Sequence, residues 1–336
     1  MALSEEDGMP DLTTQVDFIE DDVLRLIFLS CHPQLTAESR AALTLRLVGG
    51  LTTAEIARGF LATETAMGQR ISRAKKTLSE AHIDFELPVG AERTDRLDDV
   101  MAVVYLIFNE GYTATAGDDW MRPELTNEAI RLARMLAELM PDEPEVHGLQ
   151  ALLELQASRA SARVDADGRP VLLDDQDRSL WDELLIRRGL AALERAETLA
   201  VRGKAVGRYY LQAAIASKHA SAATPDETDW RAIARLYDLL AEVAPGPVVE
   251  VNRAVAHGRA FDPNSGLAIL DGLPEGALAG SHLLPSVRAD LLARSGRHAD
   301  AAASFREAAS LTSNQSEQSL LLHRAEQSAK VTNKRR

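Results

Sequence analysis

The sequence predicts an all-α protein in two parts: an N-terminal helix-turn-helix, then a long helical, repeat-like domain with one small hairpin. Three observations carry this expectation. The chain is 46% apolar but only 4% aromatic, an Ala/Leu-rich balance that favours helix over sheet. Apolar residues recur at helical spacing through almost all of residues 95–330. Between Gly50 and Leu78 a short capped helix, a three-residue connection and a longer helix follow one another in the order of a DNA-reading helix-turn-helix.

Residues 1–20 hold six acids and no Lys or Arg. They read as an acidic linker, and no secretory signal is expected there. The first domain is expected over 21–83. Val23, Leu24, Ile27 and Phe28 share a helical face as far as His32-Pro33, because proline disfavours helix in the residue before it. Thr36 is placed to cap a second helix through Val48, which Gly49-Gly50 end. Thr52, with Glu55 three residues on, has capping-box spacing and opens a short third helix to Phe60. Thr63 caps a fourth, with Met67, Ile71, Ala74 and Leu78 on its inner face.

A helical domain is expected over 95–222 and a repeat region over 223–330. The segments are 97–109, 124–140, 143–162, 178–202, 207–222, 229–243, 247–259, 263–272, 282–295, 298–311 and 315–330. The exception is 163–173, where β-branched and apolar residues flank Asp167-Gly168 and suggest a hairpin or extended loop. The stretch from Asn252 aligns with that from Arg288, Ala254 falling on Ala289 and Leu270 on Phe305. A two-helix unit of about 34 residues is the tetratricopeptide period, and such units bury their apolar faces only by stacking.

A net charge of −14 argues against nucleic acid until its distribution is read. Residues 37–82 carry seven Lys/Arg against four acids. A basic module therefore sits in an acidic chain whose remainder would repel phosphate. On the fourth helix Glu64, Thr65, Gly68, Gln69, Ser72 and Arg73 occupy the early outward turns, opened by Thr63. Gln69 and Arg73 can present paired hydrogen-bonding groups to base edges, whereas Arg70, Lys75 and Lys76 can reach phosphates. A solvated basic helix is the plainer alternative. It is outweighed here because the caps, the short connection and the RxxRAKK ending occur together.

Other chemistry is thinly represented. Cys31 is the single cysteine, which fits a reducing cytoplasm, and beside His32 it reads as a buried thiol rather than a metal ligand. Gly111 reads as a left-handed cap ending an apolar helix. Asp174, Asp175 and Asp177 could serve acid/base work or hold a cation, but Asp177 reads more simply as a cap for a helix from Arg178. No phosphate loop, nucleophile-base order or metal spacing is found, so neither enzyme activity nor a cofactor is expected. No apolar stretch is long enough to cross a membrane.

Residues Gly50 to Leu78 resemble region 4 of sigma-70-family factors, and Leu24 to Thr52 resemble the first half of that region in the extracytoplasmic-function subfamily. The resemblance continues through Tyr105 to Leu136, Leu172 to Asp182, Tyr209 to Ala220, Thr228 to Leu240 and Val251 to Ala256, as in members carrying a tetratricopeptide-like extension. It implies recognition of the minus-35 promoter element and docking of the first two helices on the β flap of RNA polymerase. It further implies regulation through contact between region 4 and the C-terminal domain. Asp167, Gly168 and Arg169, otherwise a plain turn, would be regulatory. Family members begin with region 2, which melts the minus-10 element. No such segment is read before Asp21, so a fragment or truncated product is expected, unable by itself to open a promoter.

Overall fold

The computed structural model describes residues 22–60, 62–81, 88, 90–112, 122–165, 171–312 and 314–334. Among them every regular element is a helix. The chain forms two compact units, Met1–Thr113 with Arg122–Met140, and Ala114–Met121 with Pro141–Arg336.

The first unit contains α1 (22–30), α2 (Ala37–Leu47), α3 (Thr53–Gly59), α4 (Glu64–Glu80), α5 (Gly90–Tyr112) and α6 (Pro123–Leu139). Each of the three expected threonine caps forms: Thr36 accepts from the Ser39 amide, Thr52 from Glu55 and Thr63 from Ala66. Gly50 takes a φ of 71° after α2, in the left-handed region that a side chain disfavours. Leu24, Ile27 and Phe28 of α1, Leu43 and Leu45 of α2, and Ile107 and Phe108 of α5 are buried. One face of α6 turns inward through Leu125, Ala129, Ile130, Ala133 and Leu136.

Helices α5 and α6 pack on each other, and α5 also packs on α2. The sequence divides the chain after 83 and 222, whereas compactness divides it at Met140 because these two helices complete the first unit. Gly111 corrects the expected left-handed cap. It lies inside α5 without a positive φ, and an added Cβ would meet the Thr126 amide nitrogen at 2.6 Å. It is a crossing point for the start of α6.

The second unit begins with α7 (Pro144–Ala157), packed on α8 (Glu183–Val201) and α9 (Arg208–Ala220). Gly207 offers α9 no capping side chain. Glu145 fills that place from α7, accepting from the amides of Gly207 (2.8 Å), Tyr209 (2.9 Å) and Tyr210 (3.0 Å). Between α7 and α8 run three 3-10 turns, Ala160–Ala162, Leu173–Asp175 and Arg178–Leu180. Asp177 caps the third of these, and Asp182 caps α8, so α8 starts five residues later than the sequence suggests. Of the expected hairpin or extended loop, the described residues hold a bridge at Val164 and a bond from the Val171 amide to the Arg163 carbonyl (2.8 Å). Asp167, Gly168 and Arg169 lie outside the described residues.

Helices α10 (Trp230–Val243), α11 (Pro247–Ala260), α12 (Pro263–Asp271), α13 (Leu283–Arg294), α14 (His298–Leu311) and α15 (Gln315–Lys334) each pack mainly on their sequence neighbours. The positions paired by the sequence repeat, Ala254 with Ala289 and Leu270 with Phe305, are all buried in one shared core. Gly266 lets α12 approach α11, for a Cβ there would sit 2.4 Å from the Ala254 carbonyl oxygen.

Candidate nucleic-acid interface

The interface starts from a capping box. The Glu55 carboxylate accepts from the Thr52 amide at 2.7 Å while the Thr52 hydroxyl accepts from the Glu55 amide at 3.2 Å. This reciprocal pair satisfies donors that α3 would otherwise leave open and sets its starting angle. The Thr52 hydroxyl, then its amide, hold the Glu55 carboxyl below the usual carboxylate range. At the far end the Phe60 amide bonds to Ile56 (3.0 Å) and the Ala62 amide to Ala57 (2.9 Å), closing the tight turn into α4.

Helix α4 is two-sided. Met67, Ile71, Ala74 and Leu78 are buried against α2 and α3, as their spacing predicts. Thr63, Glu64, Thr65, Gln69, Ser72, Arg73, Lys75 and Lys76 are exposed. Arg73 donates to the Gln69 amide oxygen at 3.3 Å, one turn back, so the two expected base-reading side chains share a face and touch. Lys76 pairs loosely with Glu80 at 3.5 Å, both open to solvent, and so keeps its reach at little cost. Arg70 lies at the edge of this face. It is half-buried, and its charge adds to the hold on the Glu38 carboxyl, kept low first by its own backbone amide and next by the Thr36 hydroxyl.

The support behind this face comes from α5 and α6. Arg122 donates to the Gly59 carbonyl at the end of α3 (2.8 Å) and pairs with Glu110 of α5 (2.8 Å), while its own amide bonds the Gly111 carbonyl (2.6 Å). Leu125 lies where a side chain on Gly59 would have to go. Arg131, fixed by Glu128, donates to the Val48 carbonyl beyond α2 (3.0 Å). Arg40 of α2 pairs with Asp99 (2.6 Å), and Arg96 donates to the Phe28 carbonyl (2.7 Å). Sequence reasoning missed Arg122: it is one polar residue among many, and its partner Gly59 lies 63 positions away.

Cys31 is buried, within 3.4 Å of the Thr44 hydroxyl. Burial pushes its thiol up to about 11, against the lowering effect of hydrogen bonds to Thr44 and Ser30. It is a packing residue. The apolar residues of α1 and α2 expected to meet polymerase are largely interior, and only flanking side chains such as Val23, Leu26 and Leu47 remain half-buried.

Residues 25–78 match the family "Sigma-70, region 4". Residues 96–197 match a family of unknown function, DUF6596. The chain is 44% identical over 314 residues to an uncharacterized protein of Rhizobium meliloti (strain 1021), an alignment covering 93% of this chain and 73% of that protein. No solved structure matches. No helix among the described residues is long and apolar enough to cross a membrane.

Proposed function

Because the chain belongs to the family of that Rhizobium meliloti protein and carries a sigma-70 region 4 domain, we propose that it works as an extracytoplasmic-function sigma factor, or as part of one. In this reading α4 enters the major groove at a minus-35 promoter element. Gln69 and Arg73 read base edges, Thr63, Glu64, Thr65 and Ser72 line the approach, and Lys75 and Lys76 hold phosphates. Arg70, half-buried beside that face, holds phosphate from the flank. The half-buried rim of α1 and α2 meets the β flap of core polymerase. The second unit is a tetratricopeptide-like regulatory extension, and the protein acts in the cytoplasm without catalysing a reaction or carrying a cofactor.

The observation that carries this reading is the exposed, capped face of α4, with Gln69 and Arg73 already paired on it. The test mixes the full chain with core polymerase and selects bound duplexes from a random pool. Arg73→Ala should relax selectivity at one or two positions by about 1–3 kcal/mol. Lys76→Ala should weaken all duplexes alike and lower the salt slope by about one. Failure to retain polymerase would instead favour a scaffold, a reading supported by the neighbour-on-neighbour packing of α10 to α15. Unchanged selectivity in both variants removes α4 from recognition.

A further inference from the structure

Side chains from several elements of the second unit converge on His219, near the end of α9. Arg178 donates to the backbone carbonyls of His219 (2.7 Å) and Ala222 and to the Thr228 hydroxyl (3.3 Å). Its guanidinium lies 4.8 Å from the centre of the Trp181 ring, and that of Arg159, after α7, lies 6.0 Å from the same ring. The His219 ring meets Trp230 of α10 edge-on at 5.2 Å. Arg259 of α11 covers Trp230 at 4.5 Å.

Charge in this cluster does not balance. Arg259 pairs with Asp174, which Arg294 also approaches at 3.5 Å and which acts on Arg178 as well, whereas Arg159 brings a further positive charge. Exposed Glu227 lies farther out beside Arg178. His219 adds no negative charge and is held neutral, its pKa pushed down to about 4 by burial first and by Arg159 and Arg178 next.

Hydrogen bonding is short mainly in the same direction, with three donors unmet against one acceptor. The indole N–H groups of Trp181 and Trp230 and the Nε–H of Arg178 are buried without an acceptor, and so is the Gln176 Oε1 without a donor. Trp181 is only 5% exposed and Gln176 8%. An unmet buried donor costs about 1–3 kcal/mol, so three beside surplus positive charge mark a place that gains from an incoming acceptor. A carboxylate or phosphate group presents mainly acceptors and forms its strongest bonds with arginine and N–H donors.

We propose that this cluster binds a small organic oxyanion, a carboxylate or a phosphate ester, through Arg159, Arg178, Arg259 and the indole N–H groups of Trp181 and Trp230. The site joins residues inside the DUF6596 match with His219, Trp230 and Arg259 beyond it. It does not depend on the promoter reading, since no residue of α4 belongs to it.

The chain has three tryptophans, Trp120, Trp181 and Trp230, so indole ¹⁵N–¹H resonances of the full-length protein report the site directly. Inorganic phosphate and succinate are titrated separately at constant ionic strength, with sodium chloride as control. Two indole signals, assigned by Trp181→Phe and Trp230→Phe, should move and saturate. Trp181→Phe removes a single donor and should weaken binding about tenfold or more. Arg159→Gln, at a half-exposed position, should weaken it likewise and stands in should the tryptophan variant not fold. Saturation with phosphate alone identifies a phosphate ester, and with succinate alone a carboxylate. Absence of a saturable shift with either probe, or equal movement of all three signals in chloride, overturns the site.

Discussion

At Gly111 a methyl group would sit 2.6 Å from the Thr126 amide nitrogen and 2.9 Å from the Arg122 carbonyl oxygen. Backbone cannot yield as a flexible side-chain tip can, so Gly111→Ala should cost about 2 kcal/mol. Equilibrium denaturation checks this, and an unchanged midpoint would remove the tight crossing. The sequence alone suggested a turn residue here, because Asn-Glu-Gly-Tyr closes an apolar run and nothing local reveals that α6 passes over it. The buried histidines set a pH dependence. His219 and His147 are both lowered by burial first, so the unfolded chain takes up their protons before the folded one does. Their neutral state is compatible with folding above the ordinary histidine range, and stability falls as pH drops from 6.5 towards about 4. For His219 the loss at pH 5 is at most about 2 kcal/mol. His219→Gln should flatten the fall in thermal midpoint between pH 7 and 5, and an unaltered slope would show that its proton is not linked to folding.

At the scale of elements, hydrogen bonds that reach from α5 and α6 hold the helix-turn-helix in place. Arg122→Met loses the bonds to Gly59 and Glu110 together and should destabilise the first unit by about 2–4 kcal/mol. Denaturant midpoints measure this, with weakened DNA binding following only as the folded fraction falls. The caps of α2, α3 and α4 were legible because each is a local event, a threonine answering an amide three residues on. The start of α5 was not. Residues 90–96 have no apolar periodicity, and there the helix is favoured by good helix formers and by the Arg96–Glu92 pair at 3.6 Å. The start of α8 was misplaced for another reason: Asp177 and Asp182 both make caps, and only the fold decides which one opens the long helix.

Across the whole molecule, the exposed polar face of α4 was readable because its residues lie within one helix, whereas the cluster at His219 gathers residues from Arg159 to Arg259 that no spacing connects. The helices paired by the 252 and 288 stretches share one core, and their close packing makes a further prediction. Gly266→Ala would force α12 away from α11, and helices that pack mainly on their sequence neighbours pass such damage mainly to those neighbours. Amide exchange should accelerate in α11 to α14 and stay unchanged in α1 to α6. Uniform loss of protection would mean that the chain unfolds as one body. The bond from Arg122 to Gly59 also bears on any attempt to transplant the DNA-reading part onto another protein. A cut near residue 83 follows the family boundary yet strips the graft of its backing, whereas a cut after Met140 carries the brace along and leaves the seam where the chain itself has one.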